Sequence, residues 1–122
     1  MTDVLVIEDD DDIRGLIVSK LERLGCTVRE AVTGEAGMGE LHRPPDLLVL
    51  DVLLPGIDGW EVLRRVRATE ATARVPVLVL TIERPESIPD LEPGEFLPKP
   101  FAARRFEETV RRLLGGHPPQ EV

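Results

Sequence analysis

Glu8, Asp9, Asp51, Thr81 and Lys99 carry the side chains whose chemistry matters most. Each ends or follows a short apolar run. Residues 4–7 lead into Glu8 and Asp9, 47–50 into Asp51, 77–80 into Thr81, and Glu95-Phe96-Leu97 precedes Lys99. Three carboxylates brought into one pocket repel one another, and a hard divalent cation among them lowers the energy. Mg²⁺ fits that role, because it takes octahedral oxygen ligands and keeps several waters. Beside it, an ionised Asp51 is a competent nucleophile toward phosphorus, the chemistry of aspartyl phosphates. Lys99 would balance one oxygen of the transferring group, and the Thr81 hydroxyl would donate to another. Lysine is rare here: Lys20 and Lys99 are the only two, among many arginines. Lysine at 99 therefore suggests a requirement for a compact ammonium.

These side chains meet only if the strands deliver their carboxyl ends to one edge. Residues 4–7 form a continuous apolar run, the mark of a strand buried on both faces. Ile13, Leu16, Ile17, Leu21 and Leu24 follow at helical spacing, with Gly25 as a stop. Residues 27–32 read as a second strand. Residues 34–42 read as a weak helix, since Gly37 and Gly39 each cost roughly 1 kcal/mol relative to alanine. Residues 47–50 form a third strand. Pro55-Gly56 marks a turn, and Asp58 can cap a helix carrying Trp60, Leu63 and Val66. Residues 77–80 form a fourth strand and 95–97 a fifth. Phe106, Val110, Leu113 and Leu114 give a final amphipathic helix. Repeated strand–helix units predict an α/β fold: a doubly wound, five-stranded parallel sheet of order 2-1-3-4-5, flavodoxin-like. Ligands in such sheets bind beyond the carboxyl ends of the strands.

The bulk properties agree. A chain of 122 residues suits one core. Residues 1–116 are expected to form the domain and 117–122 a loose tail after Gly115-Gly116. The formal net charge of −8 argues against direct nucleic-acid binding and suits a cation-binding protein. No apolar run spans a bilayer, no signal peptide is visible, and the single Cys26 allows no internal disulfide. A cytoplasmic location without membrane contact is the expectation.

Four pieces in order now resemble a known family. They are Val6-Ile7-Glu8-Asp9-Asp10, Asp51-Val52-Leu53-Leu54-Pro55-Gly56 with Asp58-Gly59, Val79-Leu80-Thr81, and Lys99-Pro100-Phe101. Nearly the whole chain is similar to the receiver domains of bacterial two-component response regulators. The resemblance implies that Asp51 accepts a phosphoryl group from a histidine kinase or phosphotransfer protein. It implies that Asp9, Asp51 and the Leu53 backbone carbonyl ligate Mg²⁺, with Glu8 acting through water. It gives Thr81 and Lys99 to the phosphoryl group, and makes Thr81 and Phe96 the switch. Lys99-Pro100 takes the place of a cis peptide in that family. Leu53 and Glu83 occupy positions that tune hydrolysis.

Other readings stand beside these. Asp11 and Asp12 read as acids favoured at a helix N-terminus. Trp60 reads as a helix-face packing residue, and the charges from Arg104 to Arg112 as a solvated face. Two departures from the family matter. Thr81 and Lys99 are 18 positions apart (99 − 81), several fewer than usual, and Pro85, Pro89 and Pro93 fall between them. A proline inside a helix costs roughly 3 kcal/mol. The fourth helix of the family is therefore expected to be shortened or replaced by a loop. Ile82 stands where the family has a small residue, and its branched side chain is expected to slow access to Asp51.

The leading expectation is a phospho-accepting signalling domain that acts through an unidentified downstream protein. It would be no enzyme beyond its own phosphorylation and dephosphorylation. The alternative is a receiver-like interaction module indifferent to phosphate. An aspartate-nucleophile phosphohydrolase fits least: the enzymes of that kind carry their nucleophile on the first strand with a second Asp two positions on, whereas Leu53 stands two positions after Asp51.

Overall fold

A computed structural model describes residues 2–81 and 91–115 of the chain. Ile82, Glu83 and the tail expected at 117–122 lie outside the described residues. The strands are β1 (Asp3–Ile7), β2 (Thr27–Ala31), β3 (Leu47–Asp51), β4 (Val77–Thr81) and β5 (Gly94–Pro98). They form one parallel sheet of order β2-β1-β3-β4-β5, as the sequence predicts. All of β3 and β4 is buried, in accord with their unbroken apolar runs. The register pairs Ile7 with Leu50, Asp51 with Leu80 and Thr81 with Pro98. The ends of β1, β3, β4 and β5 therefore fall level, which places the acidic, hydroxyl and ammonium side chains on one edge.

Among the described residues there are four helices: α1 (Asp11–Arg23), α2 (Gly34–Glu40), α3 (Gly59–Ala68) and α4 (Ala103–Leu113). One core layer packs β-strand residues such as Ile7, Leu50 and Val79 against Val62, Leu63 and Val66 of α3. The other packs Val6, Val49 and Leu80 against Ile17 and Leu21 of α1 and Phe106 and Val110 of α4. None of the described helices is long and apolar enough to cross a membrane. Residues 91–93, the described end of the β4–β5 connection, are not helical.

Local chemistry explains the helix starts. Asp10 caps α1 by accepting the Ile13 N–H at 2.9 Å, and Asp58 caps α3 by accepting the Glu61 N–H at 2.9 Å. Asp11 and Asp12 lie in the first turn of α1, where their charge is favoured. Gly37 has a packing reason inside α2: a Cβ there would collide with the Ile7 side chain. Leu16 departs from the apolar stripe predicted for α1, being 62% exposed. Ile17, beside it on the stripe, is buried, so the core ends between these two positions of α1.

Candidate functional site

β1 delivers Glu8 into the interior, where the residue is 1% exposed, while Asp9 next to it faces solvent. β3 ends in Asp51, 4% exposed. One carboxylate oxygen from each of Glu8, Asp9 and Asp51 lies within 4.8 Å of the others. β5 leads into Lys99, whose Nζ stands 3.2 Å from Asp51 Oδ2 and 3.3 Å from Glu8 Oε1. The second Asp51 oxygen, Oδ1, accepts the Leu53 N–H at 3.1 Å. The Leu53 side chain is turned outward and 58% exposed. Thr81 is buried at the end of β4, and its carbonyl accepts the Lys99 N–H at 2.8 Å, which fixes where the lysine leaves the sheet. The Lys99–Pro100 peptide is cis.

The electrostatics centre on Glu8. Its pKa is raised to about 7, first because burial disfavours the charged form and then because a proton on Glu8 is shared with Asp51. The ammonium of Lys99 pulls in the opposite direction without winning. One cation facing three acids leaves the pocket short of positive charge. All the acidic donors are hard oxygens, and two come from buried positions fixed by strands. That donor set fits a hard divalent cation better than a soft or borderline one.

The sequence profile of the response regulator receiver domain matches residues 4–111. The chain belongs to this family. The receiver is 40% identical over 119 residues to the transcriptional regulatory protein AfsQ1 of Streptomyces coelicolor, covering 93% of this chain and 52% of that protein. It is 39% identical over 122 residues to the KDP operon transcriptional regulatory protein KdpE of Escherichia coli, covering 96% and 53%. The chain thus spans about half the length of these curated relatives. Among solved structures, a putative response regulator from Chloroflexus aurantiacus superposes with a TM-score of 0.80 at 31% identity, covering 93% of this chain and 97% of that one. The receiver domain of sensor histidine kinase PA1611 from Pseudomonas aeruginosa gives 0.82 at 25% identity, covering 93% and 98%, and that structure holds a magnesium ion in its active-site cleft.

Contacts made by three residues that shape this receiver's site escaped sequence reasoning. Arg14 on α1 donates to the Glu8 carbonyl at 2.9 Å and pairs with Asp11 and Glu30, bracing the end of β1. Its i,i+3 spacing from Asp11 was visible, but its reach back to the strand was not. Gly59 seats the start of α3 on β3: its N–H donates to the Val52 carbonyl at 3.0 Å. A Cβ there would stand 2.5 Å from the Asp51 carbonyl oxygen. Trp60 packs against the core, as read, but it also stacks on Phe96, with centroids 6.5 Å apart and planes at 25°.

Proposed function

We propose that this receiver takes a phosphoryl group onto an Asp51 carboxylate oxygen from a phosphohistidine of a histidine kinase or phosphotransfer protein. The observation that carries the reading is Lys99 Nζ held at 3.2 Å from Asp51 while Glu8 and Asp9 converge on the same carboxylate. Asp51 Oδ attacks phosphorus, the phosphorus–nitrogen bond to the donor histidine breaks, and its electron pair stays with the imidazole. Asp51, oriented by the Leu53 N–H, presents a fixed oxygen. Lys99 is free to trade its contact with Asp51 for an oxygen of the incoming group, and the Thr81 hydroxyl takes another. Asp9, Asp51 and the Leu53 carbonyl would hold Mg²⁺ directly, with Glu8 acting through water. When bound, the ion offsets negative charge on the transferred group.

Phosphorylation brings roughly −1.5 to −2 of charge to the pocket, by analogy with other phosphorylated side chains. In this reading Thr81 turns toward it and Phe96 follows, and the altered surface is read by a downstream protein. The cytoplasm is the place of action that suits such a donor and a single free cysteine. Leu53, Ile82 and Glu83 tune access and hydrolysis. No nucleic-acid or membrane contact is assigned to the receiver itself.

Incubation with Mg²⁺ and acetyl phosphate, followed by intact-mass measurement, tests the reading. The expected result is one phosphoryl adduct per chain. Absence of an adduct with this donor and with candidate kinases would favour a phosphate-indifferent interaction module. Continuous turnover of phosphate esters without an adduct would favour an enzyme.

A further inference from the structure

We propose that Trp60 is a positioning residue for the switch, holding Phe96 in the resting arrangement and so setting how readily the phosphorylated one forms. The proposal rests on the reading of Asp51 as phospho-acceptor and of Thr81 and Phe96 as the pair that moves.

Phe96 lies on edge strand β5, in register with Val79. Side chains alternate along a strand, so Val79 and Thr81 share a face of β4, and Phe96 lies on that same face beside them. Drawing the Thr81 hydroxyl toward a phosphoryl group opens volume on this face, and Phe96 is the neighbouring aromatic that can use it. Phe96 in the resting structure stacks on Trp60, with ring centroids 6.5 Å apart. Movement of Phe96 toward Thr81 therefore costs that stack.

Trp60 is not placed to follow. The preceding residue, Gly59, donates its N–H to the Val52 carbonyl at 3.0 Å and has no room for a Cβ against the Asp51 and Val52 backbone. The start of α3 is thus seated on the end of the strand that carries the phospho-acceptor. The indole is partly buried and packs against the core layer that holds Val62, Leu63 and Val66 of α3. One ring of the stack is carried by the seated start of α3, and the other belongs to the residue that moves. An aromatic pair of this kind biases a two-state equilibrium roughly 2- to 10-fold toward the state that contains it. A smaller apolar side chain at 60 removes the bias and leaves the pocket chemistry untouched.

The test uses the full chain with Mg²⁺ and beryllofluoride, a mimic of the phosphoryl group, with binding followed by fluorine NMR. Trp60→Leu is expected to bind the mimic roughly 2- to 10-fold more tightly than wild type, because its binding-competent state is more populated. Trp60→Phe, which keeps a ring, is expected to stay within about twofold of wild type. A purely structural role would lower the urea midpoint of Trp60→Leu and leave its affinity for the mimic unchanged, and that result overturns the proposal. Weaker binding by Trp60→Leu overturns it too. A second measurement needs no variant. Trp60 is the sole tryptophan, and its emission should shift when wild type binds the mimic. Unchanged emission despite binding overturns the proposal while leaving the reading of Asp51 intact. Failure of wild type to bind the mimic or to accept phosphate from acetyl phosphate overturns both.

Discussion

Glu8 makes Mg²⁺ binding a competition with a proton. Its pKa is raised to about 7, because burial and the neighbouring Asp51 favour the protonated form. In that form the Glu8–Asp51 pair shares a proton where a cation would need full negative charge. Lowering the pH from about 8 to about 6 moves Glu8 from roughly one-tenth to nine-tenths protonated. If the ion requires the ionised pair, its apparent affinity falls about tenfold over that interval. The assay is isothermal titration of Mg²⁺ into the protein at several pH values, with release of about one proton per ion near pH 6 as an independent check. Glu8→Gln should bind Mg²⁺ more weakly and lose most of this pH dependence. Affinity in wild type that is flat across the interval would refute the reasoning. The same shift has a consequence for the metal-free fold. A carboxyl whose pKa is raised on folding holds its proton more tightly in the native state, so stability falls as pH rises from the unfolded value of 4.5 through about 7. Saturating Mg²⁺ should reverse that fall.

Other consequences follow from the same geometry. Gly59→Ala forces a methyl group against the Asp51 and Val52 backbone, where neither neighbour is a flexible side chain. A loss of about 1–3 kcal/mol is expected, read as a lower urea midpoint at unchanged m, and a change within about 0.5 kcal/mol would count against the close seating. Arg67 donates to the carbonyls of Val75 and Pro93, each at 2.8 Å, and of Leu91 at 3.1 Å, tying the end of the β4–β5 connection to the α3–β4 loop. Arg67→Ala should cost about 2 kcal/mol or more, and Arg67→Lys should recover little, because a single ammonium cannot span those carbonyls. Ile82→Ala should speed phosphorylation by acetyl phosphate, dephosphorylation, or both, in a rapid-quench time course. Identical rates would remove Ile82 from any role in access.

The sheet was legible because its central strands are written as unbroken apolar runs bounded by polar residues. Once their order was known, the convergence of Glu8, Asp9, Asp51 and Lys99 was a matter of topology. Thr81 followed from its place one residue beyond the apolar run 77–80. Contacts made by long side chains across elements were not legible. Arg14 reaching the Glu8 carbonyl, and Arg67 gathering carbonyls from two loops, depend on rotamers that no periodicity encodes. Leu16 fell on the apolar spacing of α1 yet lies 62% exposed. Spacing gives the direction of a side chain, while the tilt of the helix on the sheet decides how far the core extends. Gly59 stands in the sequence only as part of the Asp58-Gly59 motif, and the backbone approach to Asp51 shows why a Cβ is excluded there. The pairing of Trp60 with Phe96 joins a helix start to an edge strand 36 positions away (96 − 60), so it required both elements to be placed first.

The aspartate that receives the phosphoryl group can be identified chemically. An acyl phosphate is reduced by borohydride, which converts the phosphorylated aspartate to homoserine. After treatment with Mg²⁺ and acetyl phosphate, reduction and peptide mapping, homoserine is expected at position 51 and no other. Asp51→Asn should show neither the adduct nor the conversion. Homoserine at a different aspartate, with Asp51 recovered unmodified, would contradict the account.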